Sequence, residues 1–281
     1  MRLTIAGGDR RMIAAAEYFS EKGAEITVFG FDKFPEKPSF LNFTDDAAEA
    51  IRGADGVILP FPCLKDGFLN TPFSARRTEV ESLFELGREE VLFLGGRLDP
   101  TPKNYIDYSE QEDFLVRNAV PTAEGAIALA MQIMSRTIQG AEITVLGYGR
   151  IGSYLSSLLH RLGAKVTVAA RSSKSRTLAE ISGVCAVGFE DIEAPLSCAD
   201  MVFNTVPSRV IGERELSAMG SGTAIIDLAS LPGGAEEKEC AKHKILLIRA
   251  LGLPGKVAPK TAGKAVFETV IRLLSERGII I

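Results

Sequence analysis

The chain has 281 residues, of which 46% are hydrophobic and 24% are charged, and its net charge is −4 at pH 7. That length is enough for two domains, since one domain usually takes roughly 100–200 residues. The slightly acidic balance, with a pI near 5.5, provides no electrostatic footprint for nucleic acid or an anionic membrane. These partners are therefore not expected.

The residue types that serve export, disulfides and metal binding form no motif. The N-terminal sequence MRLTIAGGDRR holds too short an apolar run for a signal peptide, and no stretch reaches the roughly 18 apolar residues of a membrane span. The four cysteines form no CxxC pair, and neither histidine lies in a cluster of ligand residues. We therefore expect a cytoplasmic protein without disulfides and without a metal site.

Short β-rich runs alternate with helical patterns, which is typical of parallel sheets covered by helices. Residues 63–90 are predicted to be a solvated loop and helix, and no convincing internal repeat is found. A helix is predicted near 9–22. The predicted strands lie near 3–7, 25–31, 56–61 and 91–96 in the first part, and near 143–147, 165–170, 201–206, 224–229 and 245–250 in the second.

Two long amphipathic helices are predicted at 122–138 and 262–277, because apolar residues recur there at three- and four-residue spacings. Both lie where the chain would cross between the two sets of strands. We therefore predict an α/β protein with two doubly wound Rossmann-like domains and an interdomain cleft, joined by long linking helices. The predicted parts are an N-terminal substrate or partner domain (1–120), a nucleotide-binding domain with its linking helix (121–258), and a C-terminal helix that packs back on the first domain (259–281).

The strongest motif is ITVLGYGRIG, residues 143–152, in which an apolar strand is followed by three glycines and a helix. Gly147-x-Gly149-x-x-Gly152 in this context is typical of a dinucleotide-binding turn. The first glycine permits the tight turn, the second lets the main chain approach a pyrophosphate, and the third lets the helix pack close to the sheet. A glycine-rich turn without a ligand is the alternative interpretation.

The end of the next strand indicates which dinucleotide binds. A carboxylate there would bind the ribose hydroxyls of NAD, but the sequence is AARSSKS, with no acid until Glu180. Arg171, with the hydroxyls of Ser172 and Ser173, suits a 2′-phosphate. We therefore expect NADP, and a solvated polar loop is the alternative.

Two further strand ends supply candidates, because open α/β sheets bind ligands at the carboxyl ends of their strands. FNTVPS (203–208) provides hydrogen-bonding groups for ribose or carboxamide, and DLASLPGG (227–234) brings Ser230 to the same edge. Each segment is also consistent with a structural turn. The expected cofactor-binding residues are Gly147, Tyr148, Gly149, Arg150, Ile151, Gly152, Arg171, Ser172, Ser173, Asn204, Thr205, Val206, Pro207 and Leu228.

The N-terminal IAGGDRRM, followed by ITVFGFD, is similar to a second dinucleotide turn with Asp32 as its ribose ligand. Its glycines argue otherwise, because they are adjacent and are followed by charged side chains where small residues are required. We interpret the segment as a degenerate relative of the motif in which Asp9, Arg10 or Arg11 faces a substrate. A charged helix start is the alternative.

Several sequence blocks together resemble the A subunits of dipicolinate synthase, over almost the whole chain. Many dehydrogenases share the glycine turn, whereas the combination of PTAEG, DLASLPGG and GLPGKVAPKTAG is far more specific. The blocks are GGDRR (7–11), FGFD (29–32), PTAEGAI (121–127), VLGYGRIG (145–152), ARSS (170–173), NTVPS (204–208), DLASLPGG (227–234) and GLPGKVAPKTAG (252–263).

The resemblance implies an NADP-dependent oxidoreductase that converts dihydrodipicolinate, at a branch of the lysine and diaminopimelate pathway, to pyridine-2,6-dicarboxylate during sporulation. It also implies a partner, the flavoprotein-like B subunit of dipicolinate synthase, and a location in the mother cell of a sporulating bacterium. We expect the chain to form a homo-oligomer as well.

A substrate with two carboxylates requires cations or hydroxyl donors. The expected substrate-binding residues are Arg10, Arg11, Arg97, Thr122 and Thr261. Glu124 is the candidate proton acceptor because it begins the predicted linking helix, and Lys260 and Ser230 are further catalytic candidates. The alternatives are an acid that stabilises the helix dipole for Glu124 and a solvated side chain for Lys260.

Two other functions stay open from the residues alone. One is an NADP-dependent dehydrogenase of another small carboxylic acid, of the shikimate or 2-hydroxy-acid type, although no suitable histidine is found for the second. The other is a non-catalytic, NADP-binding scaffold protein, because no acid–base pair stands out in the sequence.

Overall fold

The computed structural model describes residues 1–87, 91–99 and 101–280. The chain divides into two compact units, which we call unit 1 (Met1–Asn118 and Pro254–Ile281) and unit 2 (Ala119–Leu253). The chain crosses between them at 118–119 and 253–254, a few residues before the predicted boundaries.

Fourteen strands are found in the described part of the chain. Those of unit 1 are β1 (Arg2–Ala6), β2 (Glu25–Phe29), β3 (Asn42–Thr44), β4 (Gly56–Ile58), β5 (Leu64–Lys65), β6 (Phe68–Leu69), β7 (Leu92–Gly95) and β8 (Tyr105–Asp107). Those of unit 2 are β9 (Glu142–Leu146), β10 (Lys165–Ala169), β11 (Cys185–Val187), β12 (Met201–Asn204), β13 (Ala224–Asp227) and β14 (Leu246–Arg249).

Helices cover both sheets, and short 3₁₀ turns lie at Tyr108–Glu110 and Phe189–Asp191. The α-helices of the described residues are α1 (Arg10–Glu21), α2 (Ala47–Ile51), α3 (Val80–Gly87), α4 (Glu112–Ile133), α5 (Arg150–Arg161), α6 (Ser173–Ile181), α7 (Glu193–Cys198), α8 (Glu213–Ala218), α9 (Glu237–Lys242), α10 (Leu253–Val257) and α11 (Pro259–Ser275).

Each unit is built on a six-stranded parallel sheet in the same spatial order. The order is β3-β2-β1-β4-β7-β8 in unit 1 and β11-β10-β9-β12-β13-β14 in unit 2, and β5 and β6 form a separate antiparallel hairpin. In both sheets the chain starts in a central strand and extends first to one side and then to the other. The predicted α/β class with two doubly wound, Rossmann-like sheets is confirmed.

The first three elements of the two units correspond residue for residue. β1, α1 and β2 have the same lengths and spacings as β9, α5 and β10. Gly7 therefore has Gly147 as its counterpart, and Thr4, which is 1% exposed, has Thr144, which is also 1% exposed. Seven of the 28 positions of 2–29 carry the same residue as their counterparts in 142–169, too few for the repeat to stand out in the sequence before the two sheets are compared.

The C-terminal helix α11 packs on α1 within unit 1. The Phe267 ring meets Phe19 edge-on with ring centroids 5.0 Å apart, and Val266, Val270 and Leu274 are buried in the same core. Such close packing needs a small residue, and a Cβ added to Gly263 would lie 2.6 Å from the carbonyl oxygen of Arg11. The apolar periodicity of the sequence predicted this buried face.

Two sequence predictions for secondary structure need correction, although each contains a helix that the structure shows. The helix predicted at 122–138 is α4, which begins at Glu112 and continues through Pro121, because a proline removes one helix hydrogen bond without always ending the helix. The segment 63–90, predicted to be a solvated loop and helix, does contain a helix, α3, but the predicted loop forms the β5–β6 hairpin, and Leu69 and Leu83 are buried rather than solvated. Its last residues, 88–90, lie outside the described residues.

Candidate functional site

The carboxyl ends of four neighbouring strands form one edge in unit 2. Leu146 at the end of β9 is in register with Ala169 of β10 on one side and with Asn204 of β12 on the other, and Asn204 is in register with Asp227 of β13. The chain direction across the sheet reverses between β10 and β12, which flank β9. Open α/β sheets bind ligands at this switch point.

The first and third glycines of the turn are required by the way the turn packs. Gly147 has φ +95°, and its N–H donates to the carbonyl of Ala169 at 2.8 Å. A Cβ on Gly147 would lie 2.5 Å from Thr205 Oγ1, and a Cβ on Gly152 would overlap the carbonyl oxygen of Gly147. Helix α5 therefore starts directly against the turn, as the sequence predicted.

The second glycine, Gly149, leaves space in front of the helix. It is the N-cap residue of α5, has an extended backbone and supplies no side-chain hydrogen bond to the first turn. Apart from Gly149 itself and its two chain neighbours, no atom of the described chain lies within 4 Å of the place where its Cβ would be. Since the first N–H groups of a helix have no acceptor within the helix, this cradle fits a diphosphate.

The corresponding turn of unit 1 is filled by its own residues. Asp9 is the N-cap of α1. Its carboxylate accepts the main-chain N–H of Arg11 at 3.0 Å and forms an ion pair with the guanidinium of Arg11 at 2.8 Å. The N–H of Gly8 donates to the carbonyl of Asn70 at 2.6 Å, and the Met12 side chain occupies the space beside Gly8. The built-in carboxylate and carbonyl take the places that a diphosphate would need.

Asp32, the ribose-ligand position of that degenerate motif, is likewise engaged. Its Oδ2 accepts the N–H of Ala75 at 2.9 Å, and the Ser74 hydroxyl hydrogen bond is the main reason that the pKa of this carboxyl is lowered. A segment of unit 1 itself thus satisfies Asp32.

The predicted 2′-phosphate residues follow β10. Arg171 and Ser173 are exposed, and Ser172 caps α6 by accepting the N–H of Ser175 at 3.1 Å. The Arg171 guanidinium donates to Ser208 Oγ at 3.2 Å. Because Ser208 follows β12, this bond extends over the end of β9, where the glycine turn begins. An anion at this position would have a fork of N–H donors available.

Asn204 was predicted to bind ribose or carboxamide, and the structure gives it a different role. It is 0% exposed; its Nδ2 donates to Asp227 Oδ1 at 2.7 Å and to the carbonyl of Val206, and its Oδ1 accepts the N–H of Val206. Both ends of the amide are thus used within the protein. Asn204 shapes the loop after β12 but presents no free group to a ligand.

Asp227 organises the loop after β13. It is 1% exposed and accepts from Asn204, from the N–H of Gly234 at 2.9 Å and from Arg249 at 3.4 Å. The Arg249 guanidinium also donates to the carbonyls of Pro232 and Ala235. The glycines of DLASLPGG are therefore packed against this cluster, and Ser230 is the exposed hydroxyl of the loop.

The other predicted cofactor residues lie at the carboxyl ends of β9, β12 and β13 and differ in how deeply they are buried. The Thr205 hydroxyl donates to the carbonyl of Leu146 at 2.8 Å, and the Tyr148 hydroxyl lies 3.0 Å from Ser182 Oγ. Leu228 is 7% exposed and belongs to the core, so it can contribute little contact area to a ligand. The remaining members are Arg150 and Pro207, which are exposed, and Ile151 and Val206, which are half-buried.

The predicted catalytic and substrate residues are distributed over both units. Thr122, Glu124 and Ser230 belong to unit 2, and Arg10, Arg11, Arg97, Lys260 and Thr261 belong to unit 1. All are exposed except Thr122, which is 6% exposed, and Arg11, which is 7% exposed. Arg97 has φ +53° and its guanidinium lies 5.4 Å from the centre of the Phe61 ring.

Two of these predictions need correction. Glu124 does not begin a helix but lies in the middle of α4, so an interaction with the helix N-terminus does not explain it. Arg11 is held inside unit 1 by Asp9, by the carbonyl of Phe61 at 3.0 Å and by Asn118 at 3.5 Å. Its donors are largely used, so direct substrate binding by Arg11 is not supported.

Sequence reasoning did not identify four residues that shape this edge: Arg176, Ser208, Asp227 and Arg249. A signal existed for Asp227 alone, because an acid that ends an apolar strand is expected to need a partner when buried. The partners of the other three depend on how loops meet in space.

Other types of site receive no support from the described residues. Burial raises the pKa of the Cys63 thiol to about 12, so this cysteine stays protonated at neutral pH. In the ranges 1–87, 91–99 and 101–280, no group of three or more His, Cys, Asp and Glu side chains is arranged to hold a metal. The helices of these ranges include none that is both long and apolar enough to cross a bilayer.

Comparisons with known proteins agree with the division of the chain into unit 1 and unit 2. Residues 2–112 match the family model of the N-terminal domain of the dipicolinate synthase A subunit, and residues 116–230 match that of the D-isomer specific 2-hydroxyacid dehydrogenase, NAD binding domain. The second match indicates a nicotinamide cofactor for unit 2.

Similarity also extends over the whole chain. The dipicolinate synthase A subunit of Bacillus subtilis (strain 168) is 32% identical over 98% of this chain and 96% of its own length. The crystal structure of the A subunit from Bacillus halodurans is 30% identical, with a TM-score of 0.86, and covers 98% of this chain and 97% of its own. The crystal structure of the A subunit from Bacillus subtilis is 30% identical with a TM-score of 0.82, over 98% and 96% of the two chains.

Proposed function

Because this chain belongs to the family of dipicolinate synthase A subunits, we propose that it binds NADP on unit 2 and oxidises dihydrodipicolinate to dipicolinate together with a B subunit. The observation that carries the cofactor part is the uncapped, open turn at Gly149, next to the exposed Arg171. The reaction itself is proposed from the family. We place it, on the same ground, in the mother cell of a sporulating bacterium.

The residues of unit 2 have distinct tasks in this proposal. The main-chain N–H groups of Arg150 to Gly152 bind the diphosphate, and Arg171 binds the 2′-phosphate. The loop held by Asp227 follows β13, whose end lies beside that of β12. NADP, when bound, supplies a hydride acceptor.

The oxidation removes a hydride and a proton from a ring that becomes aromatic. Glu124 is the proposed proton acceptor, since it is an exposed carboxylate on α4, and Lys260 and Ser230 are the further candidates. Arg10 and Arg97 supply cations for the two substrate carboxylates, with Thr122 and Thr261 as hydroxyl donors. Holding the donor carbon against the cofactor in the reactive orientation contributes up to roughly 7–11 kcal/mol in favourable cases.

The reaction is tested by giving the purified chain dihydrodipicolinate, generated enzymatically, together with NADP. The assay follows NADPH absorbance and dipicolinate by chromatography, with the chain alone and then with its B subunit. We expect both products in equal amounts. If neither appears even with the B subunit, the proposed reaction is wrong. If the B subunit is fully active with a variant of this chain that cannot bind NADP, this chain is a scaffold.

The cofactor assignment has its own test in Arg171→Ala. Titration calorimetry should show about tenfold or greater loss of NADP affinity and less than twofold loss for NAD, because a charge-assisted bond to the 2′-phosphate is removed. Arg161→Ala, which removes an exposed arginine from the last turn of α5, is the matched control and should change neither. Equal losses for both cofactors with Arg171→Ala would contradict the 2′-phosphate assignment.

A further inference from the structure

The segment that carries Arg171 is held by an arginine outside the glycine motif. The Nη1 group of Arg176, in the first half of α6, donates to the carbonyl of Ala170 and to the carbonyl of Arg171, both at 2.9 Å. On the other side, the N–H of Ala170 donates to the carbonyl of Val187 at 3.0 Å. The main chain at residues 170–171 is therefore fixed by hydrogen bonds from two directions.

The Arg171 side chain differs from this rigid main chain. It is exposed, and its contact with Ser208 is made through a single guanidinium nitrogen at 3.2 Å. A phosphate can replace the Ser208 hydroxyl as acceptor, since a charged acceptor forms the stronger bond with a guanidinium. The main chain that carries Arg171 is fixed while its guanidinium stays exposed, which suits a ligand group that binds at one defined place.

We propose that Arg176 is a positioning residue that sets the preference for NADP over NAD by acting through Arg171. This inference rests on the proposed function, because it needs a 2′-phosphate at Arg171. Arg176 itself has its Nη1 donors committed to the two carbonyls and acts without touching the ligand. Loss of these two bonds frees the loop, and more conformational freedom is then lost when Arg171 meets the phosphate.

The inference is tested by measuring NADP and NAD affinities of Arg176→Met, which keeps the apolar stem and removes the donors. We expect NADP affinity to fall about fivefold to tenfold and NAD affinity to change less than twofold. Arg161→Met, the same substitution at an exposed arginine of unit 2, should leave both affinities within twofold. Equal weakening of both cofactors by Arg176→Met would show a purely structural role and overturn the inference.

A thermodynamic cycle separates positioning from direct contact. When Arg171→Ala is already present, adding Arg176→Met should change NADP affinity less than twofold, because the group through which Arg176 acts is gone. If the two losses multiply, Arg176 contacts the phosphate independently and the inference is wrong.

The wild-type titration distinguishes failure of the proposed NADP preference from failure of the proposed role of Arg176. If the unmodified chain binds NAD and NADP equally, the proposed NADP preference fails, and the role of Arg176 fails with it. If the chain prefers NADP and Arg176→Met keeps that preference, only the positioning role is overturned. Adenosine 2′,5′-bisphosphate serves as the probe of the phosphate subsite, and its affinity should follow that of NADP through all variants.

Discussion

Asp9 in unit 1 and Gly149 in unit 2 hold the same position, at the N-cap of the helix that follows the first central strand. The carboxylate of Asp9 accepts the N–H of Arg11, whereas Gly149 has no side chain with which to cap the helix that follows it. A helix N-terminus attracts an anion in either case, and the two units meet that need differently. One supplies the anion from its own chain, and the other leaves the place for a ligand.

The two units also differ at the end of the strand that follows. After β2, Asp32 is joined to Ser74 and Ala75 of its own unit. After β10, the guanidinium of the exposed Arg171 has, within the described part of the chain, only the Ser208 hydroxyl as its acceptor. The strand order is the same in both sheets. Topology therefore does not determine which unit binds a nucleotide; the residues that fill or leave the turn decide it.

The largest effect is expected from removing the built-in anion of unit 1. In Asp9→Ala, the guanidinium of Arg11 loses its charged partner and keeps only its bonds to uncharged groups, although its side chain is only 9% exposed. Breaking a buried ion pair of this kind costs about 3 kcal/mol of folding free energy. Urea unfolding, with hydrogen exchange to separate the two units, measures the loss. The NADP affinity of the folded protein should stay within twofold of that of the wild type.

The control for that variant is an exposed ion pair. Lys165 and Glu142 of unit 2 lie 2.8 Å apart with side chains 69% and 36% exposed, so Glu142→Ala should cost at most about 0.5 kcal/mol. If Asp9→Ala costs no more than Glu142→Ala, then the Asp9 carboxylate does not hold the turn of unit 1 together.

The converse change brings the anion of unit 1 into unit 2. Gly149→Asp should reduce NADP affinity about 100-fold, because the carboxylate takes the helix N–H groups and repels the diphosphate. Stability should be unchanged or higher by about 1 kcal/mol, since aspartate is a good N-cap and no described atom obstructs its Cβ. Calorimetry and thermal unfolding measure the two effects.

Gly149→Asn is the matched control, because asparagine caps a helix equally well without the negative charge. Its loss of affinity should be much smaller than that of the aspartate variant. If Gly149→Asp binds NADP with wild-type affinity, the diphosphate does not lie on the turn of unit 2 and the comparison between the units fails.

The sequence predicted the local features of this comparison better than the spatial ones. The strand, the glycine turn and the helix at 143–161 follow from periodicity and glycine spacing, so they were found with boundaries within a few residues. The adjacent glycines and charges at 7–11 also showed that the first turn is degenerate. These are properties of consecutive residues.

What the sequence did not show depends on contacts between distant segments. Two examples are the hydrogen bond that Asn204 donates to Asp227 and the bonds by which Arg176 holds residues 170–171. Both are made between segments that meet only in the folded unit. The start of α4 was missed because a proline favours a helix that begins there, whereas α4 continues through Pro121, with Phe114 and Ala119 buried before it and Ala123 buried after it. Tertiary contacts outweighed a local preference in each case.

The smallest effect concerns Asp32, and it shows whether unit 1 fills its own ribose position in solution. The Ser74 hydroxyl and the Ala75 N–H stabilise the ionised carboxyl, so its pKa lies below the ordinary 3.8. Because the folded state has the lower pKa, this stabilisation is present above about pH 4 and is lost as the pH falls through the lowered value.

The amide resonance of Ala75, followed by NMR from pH 6 to pH 2, should titrate with a midpoint below 3.8. Asp32→Asn should abolish that titration, whereas Asp45→Asn should leave it in place. A midpoint at or above 3.8 would mean that the segment at 74–75 does not hold the carboxylate, and that this end of unit 1 is as open as the turn of unit 2.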